Sequence, residues 1–280
     1  WNYRLTLLQA LENAGYEVIL LAADDAARLK LERNTRAKFI SLRHINRSSL
    51  SPFTNLKLLL EFYRIFRRVK PDVAMLFTIR PNILGNFAAF LLRIPVISTV
   101  EGMGISGSKK GWLRTLMQTL YRLAFRSAQK VIFLNSEDLQ EFALKQIVHP
   151  SKALLVHGPG IDLQYFSPRP KTTRSSKRIF LFVARLLAEK GIREFAAAAH
   201  ILQPDAEFWV LGSTDLGNPT SIHSAELDAW VAAGIFKYRG FVDDVRPVLA
   251  EADVLVLPSY YREGVPRSGL EAMAMGKLII

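Results

Sequence analysis

The stretch "YYREGVPRSGLEAMAMGK", residues 260–277, sets two carboxylates, Glu263 and Glu271, eight positions apart around Gly264, Pro266, Arg267 and Ser268. Carboxylates accept paired hydroxyl donors well, so the arrangement suits a polyol such as a ribose or a hexose with phosphates nearby. It does not suit the acid pair of a glycosidase, whose carboxyls must flank a bond instead of sharing one local element. An earlier stretch, "FVARLLAEKG" at 182–191, puts Arg185 and Lys190 between an apolar run and a helical segment carried by Phe195 and alanines. A helix N-terminus carries free N–H groups and a partial positive charge, worth about 0.3–1 kcal/mol per anion contact at an exposed site. Two cations beside it make a diphosphate site. Taken alone, each stretch also fits a charged surface loop or a helix end decorated with acids.

Both stretches need a scaffold, and the chain supplies one. Short β-branched and aromatic runs recur at 17–22, 38–43, 72–78, 95–100, 130–135, 153–157, 178–184, 207–212, 236–241 and 253–259, with helical periods between most of them. That alternation predicts α/β structure with parallel sheets. Arg185 and Lys190 then follow one strand, "RIFLFVA". Glu263 lies in the loop after another, "DVLVLPS", where Pro266 suits the first position of a helix and Glu271 its second turn. The run "SPRPKTTRSSKR" at 167–178 has almost nothing to bury and reads as a linker. The expected organisation is a first Rossmann-like domain at 1–168, a linker at 169–178 and a second such domain at 179–280. Two doubly wound domains place a ligand cleft between them.

The chain has 280 residues, half of them hydrophobic, enough for two cores. It opens at Trp1 in a helical pattern and stops at Ile280 inside "KLII", which reads as a fragment missing both ends. Without cysteine there are no disulfides, thiolate metal sites or thiol nucleophiles. No apolar run approaches the roughly 20 residues of a membrane-spanning helix. Residues 1–170 hold 24 of the 37 Lys and Arg but 12 of the 25 Asp and Glu, so the whole net charge of +12 sits there and the remainder is neutral. A basic half suggests a polyanion, either a membrane surface or a nucleic acid. One candidate surface is "KKGWLRTLMQTLYRLAFR" at 109–126, with Lys110, Arg114, Arg122 and Arg126 on one face; a second gathers Lys57, Arg64, Arg67, Arg68 and Lys70. Two amphipathic helices with solvated charges would show the same pattern. The histidines have no metal-ligand spacing, though His157 follows a strand on the expected cleft side. No Asp-X-Asp motif is present, and Asp243 in "VDDV" reads as a helix N-cap.

With "FVARLLAEKG" and "PSYYREGVPRSGLEAMAMGK" paired, the chain resembles the retaining glycosyltransferases of family 4, whose signature of Glu, seven residues, Glu is met by Glu263 and Glu271. The resemblance implies the GT-B fold, two Rossmann-like domains facing a cleft. It implies that Arg185 and Lys190 bind the donor diphosphate, Glu263 contacts the donor sugar and Glu271 holds the ribose hydroxyls. It further implies that backbone amides across Gly264, Val265, Pro266, Arg267 and Ser268 approach sugar and phosphates, and that Arg239, Gly240 and Phe241 border the base. "KPDVAMLFTIRPNILGNFAA", "IPVISTVEGMGISGS" and "GPGIDLQYFSP" look like the subgroup extending undecaprenyl-diphosphate-linked sugars, including N-acetylgalactosaminyltransferases. Glu101, Gly102, Met103, Gly104 and His157 are the acceptor-side candidates. Many members carry a His after the strand matching "VIST", where this chain has Glu101.

The expected activity is hexosyl transfer from a UDP-sugar to a lipid-linked saccharide, in the cytoplasm on the inner face of an anionic membrane. No metal, further cofactor or nucleic acid is expected. The alternatives are a UDP-sugar epimerase of the same fold and a basic nucleic-acid-binding module.

Overall fold

A computed structural model describes residues 4–25, 27–45, 51–102, 111–172, 176–215, 217–260 and 264–280. The chain divides into two compact units, Trp1–Pro159 and Gly160–Ile280.

In the first unit, α1 (Leu5–Asn13), β1 (Ile19–Ala22), α2 (Ala27–Asn34) and β2 (Lys38–Ser41) precede α3 (Pro52–Val69) and β3 (Ala74–Phe77). A π-helical turn, Pro81–Gly85, runs into α4 (Asn86–Leu91), followed by β4 (Val96–Val100), α5 (Trp112–Ser127), β5 (Lys130–Phe133), α6 (Ser136–Leu144) and β6 (Ala153–Leu155). β1 and β2 form a parallel pair, and β3-β4-β5-β6 form a parallel sheet. Tyr121, Phe125, Phe133 and Phe142 interlock at ring distances of 5.1–6.2 Å and pin α5 and α6 to β5. Asn135 starts α6, its side chain accepting from the Asp138 amide at 2.7 Å.

Two of the four cations expected on the basic face of 109–126 are spent inside this unit, while Arg126 is exposed. Arg114 pairs with Glu141 at 2.7 Å, and Arg122 donates to the Lys145 and Gln146 carbonyls at 2.7 and 3.1 Å, where α6 ends. Met117 and Leu120 pack on the core, and Lys110 lies outside the described residues.

The second unit runs β7 (Arg178–Val183), α7 (Ile192–Leu202), β8 (Ala206–Leu211), α8 (Ser224–Ala232), β9 (Lys237–Tyr238), α9 (Arg246–Glu251), β10 (Val254–Leu255), α10 (Arg267–Ala274) and β11 (Leu278–Ile279). Its sheet is parallel in the order β11-β10-β7-β8-β9. Side chains alternate along the two central strands. Ile179, Leu181, Trp209 and Leu211 enter one core with Leu249, Leu255 and Met275, while Phe182, Phe208 and Val210 enter the other with Ile192, Phe195 and Phe236. Each such burial contributes about 1.5–3 kcal/mol. Two-faced packing, more than the short β9 and β10 ladders, therefore holds the layers.

Residues 160–172 belong with this unit. Phe166 is 5% exposed in its core, Lys171 meets Asp253 at 2.8 Å, and Thr172 donates twice to Glu251. The contacts thus place the division earlier than residue 168, and the start of the segment 169–178 is docked by side-chain bonds instead of being a bare linker. Residues 173–175 are outside the described set.

Candidate functional site

β7 has β10 on one side and β8 on the other, so the chain winds outward from β7 and then returns to its opposite edge. At such a reversal the loops leaving two neighbouring strands diverge and open a crevice at their carboxyl ends. Those loops are 184–191 after β7 and the segment from 256 onward after β10, the two stretches singled out in the sequence. They are joined directly. The Tyr260 amide and the Ser259 hydroxyl both donate to the Glu189 carbonyl, at 3.0 and 3.4 Å. Gly191, at φ +79°, sits so close to Pro258 that a Cβ would collide with the Pro258 carbonyl oxygen. On the other side, the Gly212 amide donates to the Gly240 carbonyl at 2.9 Å, and the Tyr238 hydroxyl donates to the Gly212 carbonyl at 2.9 Å. The loop holding Arg239, Gly240 and Phe241 is thereby tied to the same edge.

Arg185 Nη1 meets Asp215 at 2.7 Å with both side chains partly in solvent, and Lys190 closes the 3₁₀ turn Ala188–Lys190 before α7. An exposed ion pair of this kind holds by only about 0–1 kcal/mol. Arg239 lies over the Trp209 ring at 4.3 Å, and Phe241 is 70% exposed beside it in sequence.

Glu271 is 9% exposed, and Arg267 Nε donates to its Oε1 at 2.7 Å, one helical turn away. Burial pushes its carboxyl above the usual carboxylate range; Arg267 works against this, and the neighbouring Asp244 adds to it. Asp244 is held below its usual value by Arg246, which it grips through both oxygens at 2.8 and 2.7 Å, and Arg246 also covers the Tyr165 ring at 3.4 Å. The local bond to the Arg246 amide comes from Asp244, at 3.0 Å, and not from Asp243 as the sequence suggested; the residue flanking α9 is Val245. Pro266 is likewise one position outside its helix, with ψ +125°, and α10 begins at Arg267. The Gly269 and Leu270 amides close on the Pro266 carbonyl, leaving the Ser268 amide without an acceptor inside the helix. Gly264, Val265 and Ser268 are partly buried, and Glu263 lies outside the described residues.

In the first unit, Glu101 and Gly102 line a pocket of about 180 Å³ with Thr78, Ile79, Asn82, Val100 and Tyr121. Arg4 pairs with Glu101 and lies 3.9 Å over the Phe77 ring. Asn82 donates to the Thr99 carbonyl at 2.8 Å, while Asn86 donates to the Asn82 carbonyl and Ser98 Oγ at 2.7 and 2.8 Å. These side-chain amides support the π-helical turn where main-chain bonding is loosened. Met103 and Gly104 lie outside the described residues. His157 is exposed in the bend after β6 and is not among the residues lining this pocket. Tyr121, whose place on the basic segment suggested a membrane interface, is instead buried in the core, and Arg4, Asn82, Asp215 and Asp244 escaped the sequence reading. Only the i, i+4 spacing of Asn82 and Asn86 inside an apolar helix could have signalled any of them. Among the described residues, no group of three or more His, Asp or Glu is placed to hold a metal ion.

Residues 177–280 match the family described as "Glycosyl transferases group 1", and residues 1–159 match "Glycosyl transferase 4-like domain". The chain is 31% identical to the N,N'-diacetylbacillosaminyl-diphospho-undecaprenol alpha-1,3-N-acetylgalactosaminyltransferase of Campylobacter jejuni, across 100% of this chain and 76% of that protein. It is 28% identical to the UDP-Gal:alpha-D-GlcNAc-diphosphoundecaprenol alpha-1,3-galactosyltransferase of Escherichia coli, across 88% of this chain and 66% of that one, so it spans just under two thirds of this second relative. Among solved structures, Anabaena HepE in complex with UDP-glucose superposes with a TM-score of 0.74 at 20% identity, covering 99% of this chain and 76% of that one. A glycosyltransferase from Rickettsia africae gives 0.75 at 17%, covering 99% and 74%. These two likenesses are of fold.

Proposed function

The chain belongs to the group 1, family-4-like glycosyltransferases of the GT-B fold, and from that membership we propose that it moves a hexosyl unit from a UDP-sugar to a polyprenyl-diphosphate-linked saccharide with retention of configuration. The observation that supports this reading is that the loop after β7, which carries Arg185 and Lys190, is hydrogen-bonded to the segment after β10, which leads into the helix of the buried, arginine-held Glu271. The undecaprenyl acceptors named for the two relatives support the acceptor class, and a neighbour bound to UDP-glucose supports the donor class.

Chemically, departure of a nucleoside diphosphate builds negative charge on its phosphates. Arg185 and Lys190 are assigned to that charge, along with the N-terminal amides of α7 and α10, and such fixed dipoles act without reorganisation. Glu271 is assigned to the ribose diol, through an Oε2 that accepts no hydrogen bond from the described residues. Glu263 is assigned to the sugar, and Arg239 to Phe241 to the rim around the base. Glu101 and Gly102 mark the acceptor side.

Because cations and amides meet the leaving charge, transfer is expected to proceed without an added metal ion. Activity abolished by EDTA and restored by Mg²⁺ or Mn²⁺ would overturn that assignment. A lipid-linked acceptor would place the protein peripherally on the inner face of the cell membrane.

The test is UDP release across a panel of UDP-sugars, with and without a polyprenyl-diphosphate-linked saccharide. Release that requires the acceptor supports transfer. Interconversion of UDP-sugars with no acceptor would instead establish an epimerase.

A further inference from the structure

We propose that the outward stripe of α3 is a docking surface for an anionic phospholipid bilayer. This rests on the reading above of a lipid-linked acceptor, but it names a surface that the transfer chemistry does not require.

α3 is an 18-residue helix whose inner face, Leu58, Phe62, Ile65 and Phe66, is buried. Its opposite face carries Phe53, Leu56 and Leu60, which are 79%, 53% and 42% exposed, together with exposed Lys57, Arg64 and Arg67. At 3.6 residues per turn, these six fall within an arc of roughly 120° centred opposite the buried residues. The three apolar side chains occupy the first half of the stripe and most of the charge the second. None of the three cations makes a hydrogen bond or ion pair with a described residue. Glu61, the acid of this helix, is turned away to the Arg43 and His44 amides at 2.8 and 3.1 Å. A stripe of bare cations running out of an exposed apolar patch is complementary to headgroup phosphates over acyl chains. By contrast, two arginines of α5, Arg114 and Arg122, are bonded to α6 and to the residues just after it.

The test is co-sedimentation with phosphatidylglycerol-containing vesicles and with phosphatidylcholine vesicles, neither carrying a saccharide acceptor. The unmodified protein should pellet with the first and not the second, less so at high salt. Lys57→Glu with Arg64→Glu and Arg67→Glu should lower partitioning by about a hundredfold or more, since each charge near such a surface contributes about fivefold. Unchanged UDP affinity would show that the fold is intact. Vesicle binding that survives this triple change would overturn the proposal, as would no binding by the unmodified protein.

The chain has no cysteine, so Phe53→Cys labelled with an environment-sensitive dye reports on this stripe alone. A blue shift with anionic vesicles is expected, and no shift would overturn insertion of the helix. The two readings separate cleanly. Transfer to a water-soluble short-chain acceptor without vesicle binding removes the docking surface only. Docking through α3 without transfer to any acceptor removes the functional reading only.

Discussion

Glu271 is 9% exposed, with Arg267 at 2.7 Å, and burial still wins: its carboxyl stays above the ordinary range. The sign of the linkage follows. A carboxyl whose folded pKa is raised adds stability below the unfolded value near 4.5, and that contribution is lost as pH rises through the folded value. At neutral pH the ionised side chain is therefore a burden on folding that a ligand can use. Glu271→Gln should melt at or above the unmodified protein at neutral pH, with the difference shrinking as pH falls toward 4.5. A variant that melts lower at every pH would show Arg267 to be the larger influence. The same change should weaken UDP binding, because a hydrogen bond to a charged group contributes about 1.5–3 kcal/mol, or roughly ten- to hundredfold in affinity. Calorimetry with unchanged affinity would remove the ribose assignment. Arg185 is a different case. Its pair with Asp215 is exposed and weakly held, so Arg185→Ala should leave the melting temperature nearly unchanged, while Arg185→Ala with Lys190→Ala should cut kcat/KM by about a thousandfold or more, since losing even one charge-stabilising donor costs about 10²–10³. Full activity in that double variant would take the diphosphate role away from both residues.

At the scale of elements, the site depends on two loops meeting, and Gly191 is where they meet. A Cβ there would strike the Pro258 carbonyl oxygen from a backbone already at φ +79°. Gly191→Ala should therefore lower both stability and UDP affinity, because it pushes the loop carrying Arg185 and Lys190 away from the one leading into α10. Thermal melts and UDP titrations of the variant check this, and a change in neither would mean the loops yield without consequence. The meeting itself was legible as motif, since strand, loop and helix are local patterns that a sequence states openly. All ten expected strands are present, because each has β-branched and aromatic residues at the period that a two-faced sheet needs. β11 went unread because "KLII" has too few residues to show any period. The fate of Arg114 and Arg122 was not legible either. Their spacing on α5 is the same whether they face solvent or the end of α6, and the packing of Tyr121 and Phe125 on Phe142 sets which way they face. Pro266 is off by one position for a similar reason: proline suits either side of a helix start, and the main-chain bonds to its carbonyl decide.

For the whole molecule, the division into units separates the two kinds of chemistry. Every residue assigned to the donor lies in Gly160–Ile280, and the excess positive charge lies before it. "SPRPKTTRSSKR" reads as a linker because its composition offers nothing apolar to bury, and that inference misses the residues just before it. Phe166 fills a core with Ile179, Leu181 and Leu249, and the Arg246 guanidinium lies over Tyr165. A cut at the compositional break should therefore injure a core that a cut at the contact boundary spares. Of two fragments of this chain, 160–280 and 178–280, the longer should bind UDP and unfold cooperatively. The shorter loses Phe166 and the ties from Lys171 and Thr172 to Asp253 and Glu251. Deleting one buried phenylalanine alone removes about 3–5 kcal/mol, a large share of the total stability of a domain this size. Urea melts and UDP calorimetry on the pair would decide the matter. Equal stability would make residues 160–177 a true linker, and failure of the longer fragment to bind UDP would mean that the donor site needs the first unit to form.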